Sequence, residues 1–309
     1  MPQTVYKLST ETIEAMKQYY HKSLTNVPQG AIFRAKTTNA VITAYKSGKV
    51  LFQGSSPEVE AIKWVEDQVK SNKSIAPVKT NSAYSPPQSL FTNSHIGSDE
   101  AGTGDYFGPI TVACAYVKAE DIPLLKQLGV KDSKNLTDDT ITELSKEIVK
   151  RKIPYSLLVL HNEKYNTLQK KGWSQGKMKA MLHHHAISNL LKKIGNEQLD
   201  GILIDQFCDP SVYKKHIATE RQSLHDQTYF MTKAESYSIA VATGSIIARA
   251  SFVNEMDKLS EKIGIPLKKG ASKLVDKTIA KIIKEQGESV LQHCAKIHFA
   301  NTNKAKAYL

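Results

Sequence analysis

A segment rich in serine, asparagine and proline divides this chain of 309 residues into two unequal parts. It covers residues 71–92, has no amphipathic period, and contains Pro77, Pro86 and Pro87, which exclude a helix or a central strand. About 70 residues precede the segment and about 215 follow it, lengths that suit one small and one larger domain. We therefore predict a small domain at residues 1–71, a linker at 72–93 and a larger domain at 94–309.

The N-terminal part is predicted to be a small α+β domain, with one helix before three strand-like runs and a second helix starting at Ser55. Basic and aromatic side chains on a small sheet can follow phosphates and stack on bases or sugars. Tyr45 and Lys49 are therefore candidate nucleic-acid contacts, and a solvated polar sheet face is the alternative. The strand-like runs are residues 31–36, 40–45 and 49–53.

The C-terminal part alternates strand-like and helix-like segments, which predicts an α/β fold with a mixed sheet flanked by helices. The strand candidates are His95–Asp99, Ile110–Val117, Tyr155–Leu160 and Gly201–Phe207. The helix candidates are Thr137–Lys150, Gln175–Ile194, Glu235–Lys258 and Ser272–Glu288.

The balance of charge points to a polyanionic partner, either nucleic acid or an anionic membrane surface, because the formal net charge is +12. No stretch approaches the roughly 18 apolar residues of a membrane span, and the polar N-terminus resembles neither a signal nor a transit peptide. The 3 cysteines are too few and too far apart for a disulfide framework or a zinc site. We expect a cytoplasmic protein without membrane attachment, and a monomer as the default.

Two adjacent carboxylates, Asp99 and Glu100, end a strand-like run and lead into a glycine-rich turn. Glycines let a backbone approach a ligand closely, and carboxylates are the hard oxygen ligands that suit Mg²⁺ or Mn²⁺. Because consecutive residues of a strand point to opposite faces, the chain would have to bend between these acids if both serve one site. An acidic surface turn is the alternative.

Two further acids lie at positions where sites are often built. Asp205 ends an apolar run, as a residue at the carboxyl end of a buried strand does, although it could instead cap the next element. Glu235 falls in the first turn of a predicted helix, where the helix dipole favours a negative charge. An acid at a helix N-terminus is common without any catalytic role, so both interpretations of Glu235 stay open.

The three acidic segments, in this order, resemble those of the type 2 ribonucleases H, and within that group those of bacterial ribonuclease HIII. The resemblance covers essentially the whole chain, and its most specific part is the sequence DEAGTGDYFGP at residues 99–109. Gly244 departs from it, because the family is expected to have alanine there. The other segments that carry the resemblance are residues 45–54, 129–137, 204–207, 233–249 and 294–302.

This resemblance implies a ribonuclease-H-like catalytic domain and an N-terminal domain similar to the TATA-box-binding-protein fold. It also implies endonucleolytic cleavage of the RNA strand of RNA–DNA hybrids. Glu235 at the fourth acidic position, where ribonucleases HII usually have aspartate, favours the HIII type together with the N-terminal extension. The implied catalytic and metal-binding acids are Asp99, Glu100, Asp205 and Glu235.

Four carboxylates are suited to hold two Mg²⁺ ions, with Mn²⁺ as a possible substitute, about 3.5–4 Å apart beside a phosphate. Selecting RNA requires a contact to the 2′-hydroxyl, for which the backbone of Gly102, Thr103 and Gly104 is the candidate. Two alternatives stay open: excision at single ribonucleotides in duplex DNA, as in ribonuclease HII, and a non-catalytic hybrid-binding protein. The residues predicted to hold a phosphate are Lys131, Ser133 and Lys134.

The sequence gives weaker evidence for a functional role of other residues. Successive residues of a helix diverge by about 100°, so the run at residues 183–185 cannot bind one metal ion with all three histidines. We predict a solvated or partly buried helix face there. Trp173 could stack on nucleic acid or pack inside the fold, and Arg249 is expected to pack or form an ion pair.

Overall fold

A computed structural model shows two compact units, Met1–Thr80 and Asn81–Leu309. The structure describes residues 3–28, 30–54, 57, 59–61, 63–64, 83–131 and 136–309. Residues 72–82 of the predicted linker, and Ser55 at the start of the predicted second helix, lie outside the described residues. The domain boundaries at residues 71 and 94 therefore stay predictions.

The N-terminal unit is a four-stranded antiparallel sheet in the order β1-β4-β3-β2, with helix α1 packed on it. Alternate residues of the strands face that helix, so Phe33, Ile42 and Phe52 are buried with Met16 of α1. The sequence pattern predicted three of these strands and missed β1, whose few apolar residues make a weak signal. The elements are β1 Gln3–Lys7, α1 Thr10–Tyr19, β2 Ala31–Lys36, β3 Val41–Tyr45 and β4 Lys49–Gln53.

The C-terminal unit is built on a mixed five-stranded sheet in the order β7-β6-β5-β8-β9. Strands β5, β6 and β7 are antiparallel neighbours, whereas β8 runs parallel to both β5 and β9. The carboxyl ends of β5, β8 and β9 therefore lie at one edge of the sheet, where open α/β sheets bind ligands. The strands are β5 His95–Ala101, β6 Ile110–Val117, β7 Tyr155–Leu160, β8 Ile202–Asp205 and β9 Thr228–Met231.

Helices cover both faces of this sheet. Helix α5 packs on one face against Ile96 and Val112, while α3 and α7 pack on the other against Ala113 and Ala115. All of β6 is buried, which explains why its sequence is apolar except for Thr111. The helices are α2 Ile122–Gln127, α3 Asp138–Lys150, α4 Asn162–Lys170, α5 Gln175–Ile194, α6 Pro210–Ala218, α7 Ile239–Ile263, α8 Lys273–Gln286, α9 Leu291–Cys294 and α10 Asn301–Ala305.

Two glycines allow helix α7 to lie unusually close to the sheet. A Cβ on Gly97 of β5 would lie 2.0 Å from the backbone nitrogen of Val241. A Cβ on Gly244 of α7 would lie 2.9 Å from the carbonyl oxygen of Ala113. The glycine at position 244, where the family resemblance implied alanine, therefore matches a backbone-to-backbone contact between helix and sheet.

Within the described part of the chain, no helix is both long enough and apolar enough to cross a membrane.

Candidate active site

Asp99 and Asp205 lie side by side at the carboxyl ends of two parallel strands. The last pair between β5 and β8 joins Ser98 to Ile204, so the next residue of each strand is one of these acids. The Asp205 Oδ1 atom accepts a hydrogen bond of 2.8 Å from the backbone nitrogen of Ala234. The next helix, α6, is capped by Asp209 instead, which argues against the capping interpretation of Asp205.

Asp99 is buried in a negatively charged environment. Only 7% of its surface is exposed. Burial raises the pKa of Asp99 to about 8, with the charges of Asp205 and Glu100 adding to the rise and a hydrogen bond with Ser245 opposing it. Such crowded carboxylates are stabilised by a positive counter-ion, which makes this pair the natural anchor for a divalent cation.

Glu100 has the opposite environment. Its Oε1 atom lies 2.7 Å from the Lys179 Nζ, and its Oε2 atom lies 2.8 Å from the His183 Nε2. The other nitrogen of His183, Nδ1, lies 2.7 Å from the hydroxyl of Ser98. Burial alone would raise the pKa of Glu100, but the hydrogen bonds and charges of His183 and Lys179 outweigh it and hold that pKa below its usual value.

The chain does not bend between Asp99 and Glu100, the condition that the sequence set for both acids to serve one site. The antiparallel pairing of β5 with β6 continues without interruption from His95 to Ala101. The two acids therefore point to opposite faces, with Asp99 toward α7 and Glu100 toward α5. They share the end of the sheet, because β5 continues past the end of β8.

Glu235 lies in a short 3₁₀ turn, Ala234–Ser236, rather than in the predicted helix. Helix α7 begins only at Ile239, because the hydroxyl of Ser238 accepts a hydrogen bond from the Val241 nitrogen and caps it there. The helix-dipole argument for Glu235 is therefore wrong. The residue is buried, and the backbone nitrogen that precedes it donates to Asp205. This contact thus joins the third acidic segment to Asp205 of the second.

The glycine-rich turn contains one structural and one open glycine. Gly102 has a φ of 84°, and a Cβ there would lie 2.3 Å from the Pro109 carbonyl oxygen. A Cβ on Gly104 would meet nothing within 4 Å. Between them, Thr103 is half-buried, and its carbonyl oxygen accepts a hydrogen bond of 3.1 Å from the Gln175 side chain. Gly104 is therefore the open position of the turn, while Gly102 shapes it and the Thr103 carbonyl oxygen is held by Gln175.

A buried lysine holds the far side of this turn. Lys296 is fully buried and its ammonium group donates to the carbonyl oxygens of Asp105, at 2.8 Å, and Gly108, at 2.6 Å. Burial lowers the pKa of Lys296 to about 7. The turn after Glu100 is thus anchored by a residue almost two hundred positions away in the chain, a contact that local sequence patterns do not predict.

A surface pocket of about 510 Å³ extends from Glu235. Lys126, Lys131 and the exposed Tyr237 line it together with the acid. The basic residue Lys131, predicted to bind phosphate, is therefore next to the acidic site. Ser133 and Lys134, predicted with it, lie outside the described residues.

In the N-terminal unit, Tyr45 ends β3 and is half-buried, and the exposed Lys49 begins β4 on the other side of the turn. A basic pocket of about 450 Å³ on this N-terminal unit is lined by Arg34 and Lys36. By strand register these four residues share one face of the small sheet, which we call the basic surface of the N-terminal unit.

Several interacting residues were not found, or were misjudged, from the sequence. His183 is fully buried and bound to Glu100, and His184 is buried too, so the predicted solvated or partly buried face is wrong for these two residues and holds only for the exposed His185. A signal existed, since Lys179 and His183 are four positions apart and so share a helix face. Arg249 forms the predicted ion pair, at 3.1 Å from Asp138. Trp173 packs under the Lys177 ammonium group, which lies 4.0 Å from its ring centroid.

Among the residues that the structure describes, no three His, Cys, Asp or Glu side chains are already arranged as a cation site. The donor chemistry nevertheless fits a hard divalent cation, because Asp99 and Asp205 are adjacent carboxylates whose repulsion contributes to the raised pKa of Asp99. Glu100 is held by Lys179 and His183 in this arrangement.

Comparison with known proteins gives a consistent result. A family model described as ribonuclease HII matches residues 96–302, and one described as a domain of unknown function matches residues 3–76. Ribonuclease HIII of Oceanobacillus iheyensis is 58% identical over 309 residues, which is 100% of both chains. Ribonuclease HIII of Bacillus subtilis is 52% identical over 307 residues, covering 99% of this chain and 97% of that protein.

Solved structures agree. The crystal structure of Bst-RNase HIII in complex with Mn²⁺ has a TM-score of 0.69 and 40% identity, covering 99% of each chain. That of Aquifex aeolicus RNase H3 has a TM-score of 0.54 at 22% identity, with 95% of this chain and 99% of that one covered, and supports the fold alone. The predicted α/β fold with a small N-terminal α+β domain is confirmed.

Proposed function

Since the chain belongs to the ribonuclease HII family and is a metal-dependent ribonuclease H that acts on RNA–DNA hybrids, we propose that Asp99, Glu100, Asp205 and Glu235 carry out the cleavage. The observation that carries this proposal is the placement of Asp99 and Asp205 at adjacent strand ends, with the nitrogen before Glu235 donating to Asp205. Binding a nucleic acid gains nothing from buried negative charges near its phosphates, so the acids argue against a non-catalytic hybrid-binding protein.

The cofactor of this reaction is a divalent cation, and we propose Mg²⁺, with Mn²⁺ as a substitute because the similar Bst-RNase HIII was crystallised with it. Two such cations would supply an activated water and neutralise charge on the phosphate and the departing 3′-oxygen. Asp99 and Asp205, at the ends of β5 and β8, would hold them together with Glu100 and Glu235. Ser245 and the Ala234 nitrogen keep the two aspartates in place.

Recognition of RNA is assigned to the glycine-rich turn. The exposed Gly104, where an added Cβ would meet no described atom within 4 Å, supports a contact of this turn with the 2′-hydroxyl, with the half-buried Thr103 beside it. Gly102 contributes by allowing the turn to pack against Pro109. Gln175 holds the Thr103 carbonyl and so fixes the direction of the peptide groups.

Phosphate binding is assigned to the pocket beside Glu235, where Lys131 contributes positive charge. Ser133 and Lys134 follow in the chain and belong to the same proposal. The basic surface of the N-terminal unit, with Tyr45 and Lys49, is proposed to hold the hybrid, which makes residues 1–71 a substrate-binding domain joined by the segment 72–93 to the catalytic domain 94–309. A monomer in the cytoplasm completes the proposal.

One experiment tests the substrate assignment. Three duplexes of equal length are incubated with the enzyme and Mg²⁺: an RNA–DNA hybrid, a DNA duplex with a single ribonucleotide, and an all-DNA duplex. We expect cleavage of the hybrid that a chelator abolishes and no cleavage of DNA. Faster cleavage at the single ribonucleotide than in the hybrid would favour the ribonuclease HII-like alternative, and chelator-resistant cleavage would contradict the metal dependence.

A further inference from the structure

Lys179 makes the most unusual contact in the acidic site, because its ammonium group binds one carboxylate oxygen of Glu100, a proposed metal ligand. Its ammonium group lies 2.7 Å from Glu100 Oε1 and 4.0 Å from the ring centroid of Phe207. Only 13% of the Lys179 side chain and 12% of the Glu100 side chain are exposed. The pair is thus largely withdrawn from water, where the interaction of two charges is strong.

The second oxygen of Glu100 is held independently. His183 lies 2.8 Å from Oε2, is fully buried, and stacks on Phe207 with ring centroids 5.4 Å apart. Its other nitrogen contacts the hydroxyl of Ser98, two residues before Glu100 on the same strand face. Glu100 would therefore keep its position if the Lys179 ammonium group were removed, and only the local charge would change.

We propose that Lys179 is a positioning residue that acts as the resident counter-ion of Glu100, stabilising the metal-free enzyme and opposing the binding of a divalent cation to that carboxylate. The inference rests on the proposed function, which makes Glu100 a metal ligand. In the metal-free protein, Lys179 balances one of the clustered negative charges. When a cation binds, two positive charges face the same carboxylate, and their repulsion weakens the binding of the cation.

This arrangement makes a prediction that simple structural damage does not. Loss of a structural residue lowers both the stability of the fold and the affinity of its sites. Loss of a resident counter-ion lowers the stability of the metal-free protein and raises its affinity for the cation, because the negative charge of Glu100 is no longer balanced.

The test is the titration of the full-length, metal-free protein with Mn²⁺ by isothermal calorimetry, without nucleic acid. We expect Lys179→Met to bind Mn²⁺ roughly tenfold more tightly than the wild type, as removal of one unit charge beside a partly screened site implies. Lys179→Arg should restore the wild-type affinity. If the methionine variant fails to fold, Lys179→Gln takes its place, because glutamine keeps a hydrogen-bond donor without the charge. This variant should also bind Mn²⁺ more tightly than the wild type.

The matched control is Lys177→Met on the same helix. Lys177 also pairs with a glutamate, at 2.6 Å from Glu220, and lies over an aromatic ring, that of Trp173. It contacts none of the four acids in the contacts described above, so its loss should leave Mn²⁺ affinity unchanged. Equal changes in the Lys177 and Lys179 variants would overturn the inference.

Glu100→Gln separates failure of the inference from failure of the proposed function. Weakened Mn²⁺ binding in this variant, combined with unchanged or weaker binding in the Lys179 variants, overturns the counter-ion role alone. Unchanged binding in the Glu100 variant overturns the metal role of Glu100 and, with it, the inference. Tighter binding in the neutral Lys179 variants, with weaker binding in the Glu100 variant, supports both.

Discussion

Asp99 and Glu100 are neighbours on one strand, yet their carboxylates point to opposite faces of the sheet and meet opposite charges. Asp99 faces Asp205 and has a raised pKa, while Glu100 faces Lys179 and has a lowered one. Adjacent acids of one segment thus differ in the form that they take before any cation binds. On one face of the sheet, the crowded carboxylates of Asp99 and Asp205 therefore favour a bound cation. On the other face, Glu100 already binds the cationic side chain of Lys179.

The raised pKa of Asp99 predicts a loss of stability with rising pH in the absence of metal. The pKa is about 8 in the folded protein against 3.8 for the ordinary group. Because this pKa is higher in the folded than in the unfolded protein, the contribution of Asp99 to the free energy of unfolding is fully present below about pH 4. It is lost as pH rises from about 4 to about 8. Urea unfolding with a chelator should show the wild type losing on the order of a few kcal/mol over this range relative to Asp99→Asn. Equal pH dependence of both proteins would contradict the prediction.

The close approach of α7 to the sheet predicts that Gly97→Ala is strongly destabilising. Its Cβ would lie 2.0 Å from the Val241 nitrogen, and backbone on both sides would have to move. We expect a loss of more than about 3 kcal/mol in the free energy of unfolding. Gly104→Ala is the control, because its Cβ meets nothing within 4 Å. If Gly97→Ala unfolds at the same temperature as the wild type, the close contact between α7 and β5 is contradicted.

Gly104→Ala also tests the recognition of RNA. The fold accommodates the added methyl group, but the methyl group would stand where the backbone is proposed to approach the ribose. We expect unchanged thermal stability and a cleavage rate of RNA–DNA hybrids at least about tenfold lower, since close approach at the reacting centre is sensitive to small displacements. Wild-type cleavage by this variant would remove Gly104 from the recognition site.

Lys296→Met should loosen the turn that follows the first two acids. The substitution removes the Lys296 donor from the carbonyl oxygen of Asp105, which costs about 1–3 kcal/mol, whereas the carbonyl oxygen of Gly108 still accepts a hydrogen bond of 2.8 Å from the Asn162 side chain. We expect lower stability in urea unfolding and slower cleavage together. Lys304→Met, at an exposed lysine of α10 in the same C-terminal region, serves as the control. A variant at Lys296 that is as stable as that control would contradict the anchoring role.

The basic surface of the N-terminal unit is tested in the full-length chain with the double variant Tyr45→Ala and Lys49→Ala. Loss of a phosphate contact weakens binding and reduces the slope of log affinity against log salt by about 1 for each lysine. Lys17→Ala is the control, because this exposed lysine lies on helix α1 rather than on the sheet. Wild-type affinity and salt slope in the double variant would move the hybrid-binding surface elsewhere.

The sequence predicted those parts of the fold and site that depend on local patterns. The strand-like run His95–Asp99 and the apolar run before Asp205 identified β5 and β8, and with them two acids at strand ends. The start of α7 was misplaced, because the capping serine at position 238 competes with an acid that also suits a first turn. The contact between Glu100 and Lys179 joins residues 79 positions apart, so it follows from the packing of α5 on the sheet.

The central claim is that Asp99 is needed for cleavage and not for the stability of the fold. The cleavage activity of Asp99→Asn tests this claim most directly. Hybrid cleavage with Mg²⁺ and hybrid binding with a chelator are measured on the same preparation, with Asp257→Asn, an exposed aspartate of α7, as the control. We predict that Asp99→Asn binds the hybrid and unfolds no more easily than the wild type in the absence of metal, yet loses Mg²⁺-dependent cleavage. Full Mg²⁺-dependent cleavage by Asp99→Asn would contradict the assignment of the site.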